Sequence, residues 1–144
     1  MFKNILLPTD GTDFSRKAAL AAAAFAKGSG AKITAFYAIA SAPAAWYDAG
    51  VADPQVFEQM AIKQGNQYLG EIKSLCADAG VECDMVSELS DVPYQAIIDA
   101  AEKSGCDLIF MASHGRRGLS NIFLGDATNK VANQSKISVL IYRV

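Results

Sequence analysis

The chain alternates short, almost uninterrupted apolar runs with longer stretches whose apolar residues recur at helical spacing. This alternation restricts the fold more than any other feature. Ile5-Leu6-Leu7 (ended by Pro8), Ile33 to Ile39, Val81 to Val86, Leu108 to Ala112 and Val139 to Tyr142 read as strands. After the first, Phe14, Ala18, Ala22, Phe25 and Ala26 mark a helix over 14 to 28, with Asp13 as N-cap and Gly28-Ser29-Gly30 as its stop. Residues 55 to 79 form a long helix closed by Gly80. Asp91 caps a helix that runs to Lys103 with Pro93 in its first turn, and a last helix spans 126 to 134. Residues 41 to 54, holding Pro43, Gly50 and Pro54, read as an irregular insert. Strands apolar along their whole length, each separated from the next by a helix, belong to a parallel sheet covered on both faces. The expectation is one α/β domain over 1–144, a doubly wound three-layer sandwich.

Charge removes several classes of partner. Lys and Arg are scattered apart from Arg116-Arg117, and the net charge is −2. Nothing here makes the basic footprint of a nucleic-acid binder. Cys76, Cys83 and Cys106 are odd in number and lack CxxC spacing, so free thiols are expected rather than a disulfide framework or a zinc site. The apolar run at the N-terminus is too short for a signal peptide, and no stretch approaches the ~20 residues of a membrane helix. A reducing cytoplasm is the expected compartment, with no membrane partner.

Doubly wound sheets bind ligands beyond the carboxyl ends of their strands, where the strand order reverses. Two such ends carry suggestive chemistry. The first, Pro8-Thr9-Asp10-Gly11-Thr12-Asp13-Phe14-Ser15, offers a carboxylate that can accept from ribose hydroxyls or ligate a metal. It reads equally well as a turn capped by Asp13 or Thr12. The second runs from Ala112 to Thr128. Gly115 and Gly118 lack Cβ atoms and let backbone N–H groups approach an anion. Gly125 stands where the last helix begins, with its free N–H groups and positive dipole end, and Arg116 and Arg117 add charge. An ordinary glycine-containing surface loop is the plainer alternative.

Other nucleotide and catalytic motifs are missing. There is no GxxxxGK[ST], and no GxGxxG follows the first strand. A phosphate-acceptor receiver would need an Asp where the third strand ends in Val86-Ser87-Glu88-Leu89. A flavodoxin would bring phosphate against Asp10 and Asp13. His114 is the sole histidine; Ser113 precedes it, but sequence neighbours seldom face each other, and no activated nucleophile is evident. Trp46 and Tyr47 are expected to pack the insert onto the domain rather than cover a base. The apolar residues of the long helix read as core.

Taken together, a strand, PxDGxxxS and a helix near the N-terminus, followed much later by Ser113-His114-Gly115-Arg116-Arg117-Gly118, nine residues from 116 to 124, and Gly125 before a last helix, resemble the universal stress protein family over essentially the whole chain. The resemblance implies a five-stranded parallel sheet in the order 3-2-1-4-5. It implies a nucleotide signature of Gly, two residues, Gly, nine residues, Gly, then Ser or Thr. In that alignment Asp10, beside Pro8 and Thr9, meets the ribose or adenine edge, and Ala38 lies against the adenine. Gly115, Gly125 and the following amides, at Asp126, Ala127 and Thr128, meet the phosphates. The implied ligand is an adenine nucleotide, ATP with Mg²⁺ first among them.

Two positions depart from the signature. Ala112 replaces the first glycine, and Asp126 replaces the hydroxyl residue. A carboxylate ~4 Å from a phosphate charge costs roughly 1 kcal/mol in water and ~4 kcal/mol at an effective dielectric of 20. Asp126 escapes that cost by turning away as the cap of the last helix, or by helping to hold Mg²⁺, while Thr128 and Ser113 remain as hydroxyl donors. The resemblance further implies a homodimer through the last strand, residues 138 to 143, which the sheet order leaves at an edge. The expected role is that of a stress-response regulatory module rather than an enzyme, with ATP hydrolysis at most slow and incidental. The alternative is a nucleotide-free dimer acting through protein contacts alone.

Overall fold

A computed structural model describes residues 1–50, 53–115 and 124–144. In chain order the elements are β1 (Asn4–Pro8), α1 (Asp13–Ser29), β2 (Lys32–Ile39), α2 (Ala44–Asp48), α3 (Pro54–Ala79), β3 (Cys83–Leu89), α4 (Pro93–Lys103), β4 (Leu108–Ala112), α5 (Asp126–Gln134) and β5 (Ser138–Tyr142). The strands form one sheet in the order β3-β2-β1-β4-β5, and every pairing is parallel. The expected α/β sandwich and its strand order are therefore those observed.

Strand alternation divides the interior into two cores. Ile5 and Leu7 of β1 and Ile33 and Ala35 of β2 face α1 and α3, where Ala18, Ala22, Ala26, Leu69 and Cys76 close over them. Leu6, Phe36 and Ile109 point the other way, against Ala96, Ile97, Ala100 and Ala101 of α4 and Val131 of α5. The buried stripe of α1 is all small residues (Ala18, Ala19, Ala22, Ala23, Ala26), which lets that helix sit close to the sheet. Chain direction across the sheet reverses between β1 and β4. The loops that follow these two strands are thus neighbours.

Several boundaries differ from the sequence reading, each for a local reason. Thr12, not Asp13, caps α1 by accepting from Ser15 N, while Asp13 sits in the first turn and pairs with Arg16 at 2.7 Å. β3 begins at Cys83 because Gly80 N and Val81 N still close the end of α3, donating to Ala77 O and Cys76 O. It then runs on to Leu89, which pairs with Ile39. Asp91 does not cap α4. Its carboxylate accepts from Ser41 N at 2.9 Å and Ser41 Oγ at 2.5 Å, and Val92 takes the cap position ahead of Pro93. The insert contains the short helix α2, and Trp46 of that helix packs edge-on against Phe57 of α3. Among the described residues no helix is long and apolar enough to cross a membrane.

Candidate functional site

The loop after β1 is built around Asp10. Thr9 N extends the sheet ladder by donating to Phe36 O, which fixes where the strand stops. The chain then turns at Gly11, whose φ of +79° lies in the left-handed region that glycine adopts without strain. Asp10 Oδ1 accepts from Thr12 N at 3.0 Å, Thr12 Oγ1 at 2.5 Å and Ser15 Oγ at 2.6 Å. Asp10 N donates to Ser15 Oγ at 3.2 Å. The carboxylate is thus held in one orientation by the same residues that start α1.

The loop after β4 comes to meet it. A Cβ added to Gly115 would stand 2.8 Å from Asp10 Oδ2, so the two loops touch at the point where the strand order reverses. Gly125 returns to the end of β4: its N–H donates to Ser113 O at 2.8 Å, and a Cβ there would lie 3.4 Å from His114 Cα. Gly125 is also the N-cap residue of α5, so the first free amides of that helix open beside His114 and Gly115. Both glycines occupy places where a side chain would fill the space between the loops. Arg116 and Gly118, expected at the phosphates, lie outside the described residues, as does Arg117.

The remaining residues of the expected site divide into those that face it and those engaged elsewhere. Pro8 ends β1, and Ala38 lies near the end of β2 on the neighbouring strand, half-buried and packed on the second core. Ala112 is the last residue of β4, and Ala127 lies in the first turn of α5. The hydroxyls expected as phosphate donors are committed to the fold. Thr128 Oγ1 donates to Ala112 O at 2.9 Å, and Ser113, fully buried, accepts Val144 N on its Oγ at 3.1 Å. Asp126 turns outward, 83% exposed, and pairs with Lys130 at 3.2 Å. It does so from the first helical position, not as the cap. As a Mg²⁺ ligand it does not fit, and among the described residues no group of three His, Cys, Asp or Glu could hold a metal.

His114 departs from expectation. Its Nδ1 stands 3.0 Å from Ser113 Oγ, so these two sequence neighbours do face each other. The contact lies inside the protein, where Ser113 is out of reach of a substrate. His114 itself is 5% exposed, and its Nε2 is buried with no hydrogen-bond partner among the described residues. A buried polar atom left unpaired costs about 1–3 kcal/mol, so Nε2 calls for a partner beyond the described residues. The ring lies 6.1 Å from that of Phe14, at the start of α1.

Sequence reasoning missed Tyr68 of α3. Its ring lies on Gly11: a Cβ there would fall 2.2 Å from Tyr68 Cζ. The sequence reading of that helix rests on its Met, Ile and Leu residues and does not single out Tyr68, and the pairing with Gly11, on a distant segment of the chain, has no local signal. A groove of about 1120 Å³ starts at this contact and runs between α1 and α3, lined by Leu20, Ala23, Leu75 and Ala79. It lies beside the loop of Asp10 rather than over Gly115 and Gly125, and its lining mixes those apolar residues with Arg16, Lys27, Glu71 and Asp78. All three cysteines are buried and unbridged. A hydrogen bond from the Cys76 thiol to Cys83 raises the first and lowers the second.

The sequence model of the universal stress protein family matches residues 1–143. The chain belongs to the universal stress protein family. Universal stress protein MJ0531 of Methanocaldococcus jannaschii is 30% identical over 143 residues, covering 99% of this chain and 83% of its own. The solved structure of MJ0577, from the same organism, superposes with a TM-score of 0.80 at 26% identity, over 98% of this chain and 95% of that one. A universal stress protein solved in complex with cAMP superposes with a TM-score of 0.71 at 25% identity, over 98% and 97% of the two chains.

Proposed function

We propose that this universal stress protein is a regulatory module that binds an adenine nucleotide where the loops after β1 and β4 meet. The observation that carries the reading is the junction itself. Asp10 is held rigid by three donors. Gly115 leaves open the space a side chain would take from its carboxylate. The Nε2 of His114, buried and without a partner among the described residues, lies in the adjoining residue. The family member that holds cAMP supports the ligand class. Asp10 would receive the ribose, Ala38 would flank the base, and the amides opening α5 would receive phosphate. The outward turn of Asp126 takes its like charge away from that phosphate. ATP is within this class, and any Mg²⁺ would be held by the phosphates and water rather than by Asp126.

The test is calorimetric titration of the protein with Mg-ATP, AMP and cAMP. Saturable binding of any one near one per chain is expected. No heat at millimolar concentrations of all three would overturn the reading. It would favour the nucleotide-free module, a reading that the commitment of both Ser113 and Thr128 hydroxyls to the fold supports.

The role is binding rather than catalysis: among the described residues the Ser113–His114 contact joins buried side chains, and the Ser113 hydroxyl is taken by the amide of Val144. Three buried, unbridged thiols suit a reducing cytoplasm. The functional unit is a homodimer formed through β5.

A further inference from the structure

We infer that Tyr68 is a positioning residue for the nucleotide loop, clamping Gly11 from α3 and so holding Asp10 in its binding orientation. The inference rests on the proposed nucleotide site, and it names how a distant helix controls it. The ring of Tyr68 occupies the space above the Gly11 α-carbon, with Cζ, Cε2 and Cε1 at 2.2, 2.4 and 2.6 Å from where a Cβ would be. Only glycine at position 11 admits the ring. The ring in turn is braced from behind. Tyr37 of β2 meets it edge-on at 5.7 Å between centroids, and Tyr37 lies against Gly65, one turn earlier on α3, where a Cβ would be 2.5 Å from Tyr37 Cδ1. Two glycines and two tyrosines thus interlock α3, β2 and the loop after β1.

Tyr37 precedes Ala38, and Gly11 follows Asp10. The interlock therefore joins the backbone on both sides of the space in which a nucleoside would lie. Inside the loop, Gly11 N donates to Thr9 Oγ1 at 3.2 Å and Thr12 N to Asp10 Oδ1 at 3.0 Å, beside the Thr12 and Ser15 hydroxyls that reach Asp10, and the ring of Tyr68 adds a contact from a separate helix. A positive-φ glycine with no side chain has many alternative conformations, and the ring removes them. Because the clamp acts through ring carbons, the hydroxyl is dispensable.

The experiment compares Tyr68→Ala, Tyr68→Phe and Ile72→Ala, the last a buried core residue one turn further along α3. Two readouts are taken: affinity for AMP and ATP by calorimetry, and amide exchange of Gly11 and Thr12 by NMR without nucleotide. Tyr68→Ala is expected to weaken both nucleotides about tenfold and alike, since the loop serves the part they share, and to speed exchange at both amides about tenfold. Tyr68→Phe stays near the parent protein in both. Ile72→Ala lowers the melting temperature without moving either. Unchanged exchange in Tyr68→Ala, equal losses in Tyr68→Phe, or equal losses in Ile72→Ala each overturn the inference. If the parent protein binds no nucleotide, the functional reading fails, and exchange at Gly11 and Thr12 still decides the clamp.

Discussion

Ser113 carries more of the site's architecture than any residue whose side chain faces it. Its N–H donates to Tyr142 O, its carbonyl accepts from Gly125 N, and its hydroxyl holds Val144 N and His114 Nδ1. The C-terminal segment and the start of α5 both converge on this one buried residue. Replacing Ser113 by Ala strands a part-buried amide and one buried ring nitrogen, at a cost of about 1–3 kcal/mol. Urea unfolding is expected to show that loss as a lower midpoint with an unchanged slope. Asp126 should behave in the opposite way. Its carboxylate is exposed and paired only with Lys130, an i,i+4 contact of the kind that contributes little. Asp126→Ser restores the family hydroxyl, yet ATP affinity is expected to change by less than about threefold. An increase of a hundredfold, worth about 2.7 kcal/mol, would show that the carboxylate reaches the phosphates after all. At this scale the sequence is only partly legible. Asp10, Gly115 and Gly125 stand out because their chemistry is unusual for their positions. Which of Thr12 and Asp13 caps α1 depends on Thr12 Oγ1 also reaching Asp10, a contact that no propensity encodes.

Elements were legible wherever periodicity was strong and poorly legible where a side chain chose between two partners. β1, β4 and α5 fall where the apolar pattern places them. α4 does begin near Asp91, but Asp91 serves the segment after β2 through Ser41 instead of the helix end. The reason is tertiary: Ser90 N donates to Ile39 O, which brings the two strand exits side by side before the helix starts. That contact predicts an acid response. Hydrogen bonds from the Ser41 hydroxyl and amide hold Asp91 below its ordinary carboxylate value of 3.8. A carboxylate lowered on folding lends stability that is fully present above its unfolded pKa and is lost as pH falls through the folded one. Stability of the parent protein should therefore drop as the pH goes from about 4 downward. Asp91→Asn should be less stable than the parent at neutral pH and show a shallower acid limb. Thermal melts between pH 2 and 7 measure both, and parallel curves would assign the acid limb to other carboxylates, Asp107 foremost, which accepts from Lys3 and Asn4 amides.

Across the whole molecule, the apolar alternation accounts for a parallel sheet with two covered faces, but the order β3-β2-β1-β4-β5 followed from family resemblance, since periodicity does not say which strands are neighbours. That order leaves two edges of different character. β3 presents Asp84 and Glu88, which pair with Lys32 and Lys103. β5 reads Ser-Val-Leu-Ile-Tyr with no charge, and Val139, Leu140 and Ile141 are each only half-buried. Charges along an edge discourage pairing with another chain, and an uncharged apolar edge lacks that protection. The asymmetry is what makes β5 the proposed dimer strand. Ile141→Lys should convert a dimer of 15.3 kDa chains to a monomer while keeping the far-ultraviolet dichroism of the fold. Met85→Lys, placing the same charge on the exposed β3 edge, should leave the dimer intact. Light scattering with size-exclusion chromatography separates the outcomes. A parent protein that is monomeric at high concentration, or a dimer lost through Met85→Lys alone, would move the interface away from β5. In the first case the uncharged edge would need cover from a partner other than a second copy of the chain.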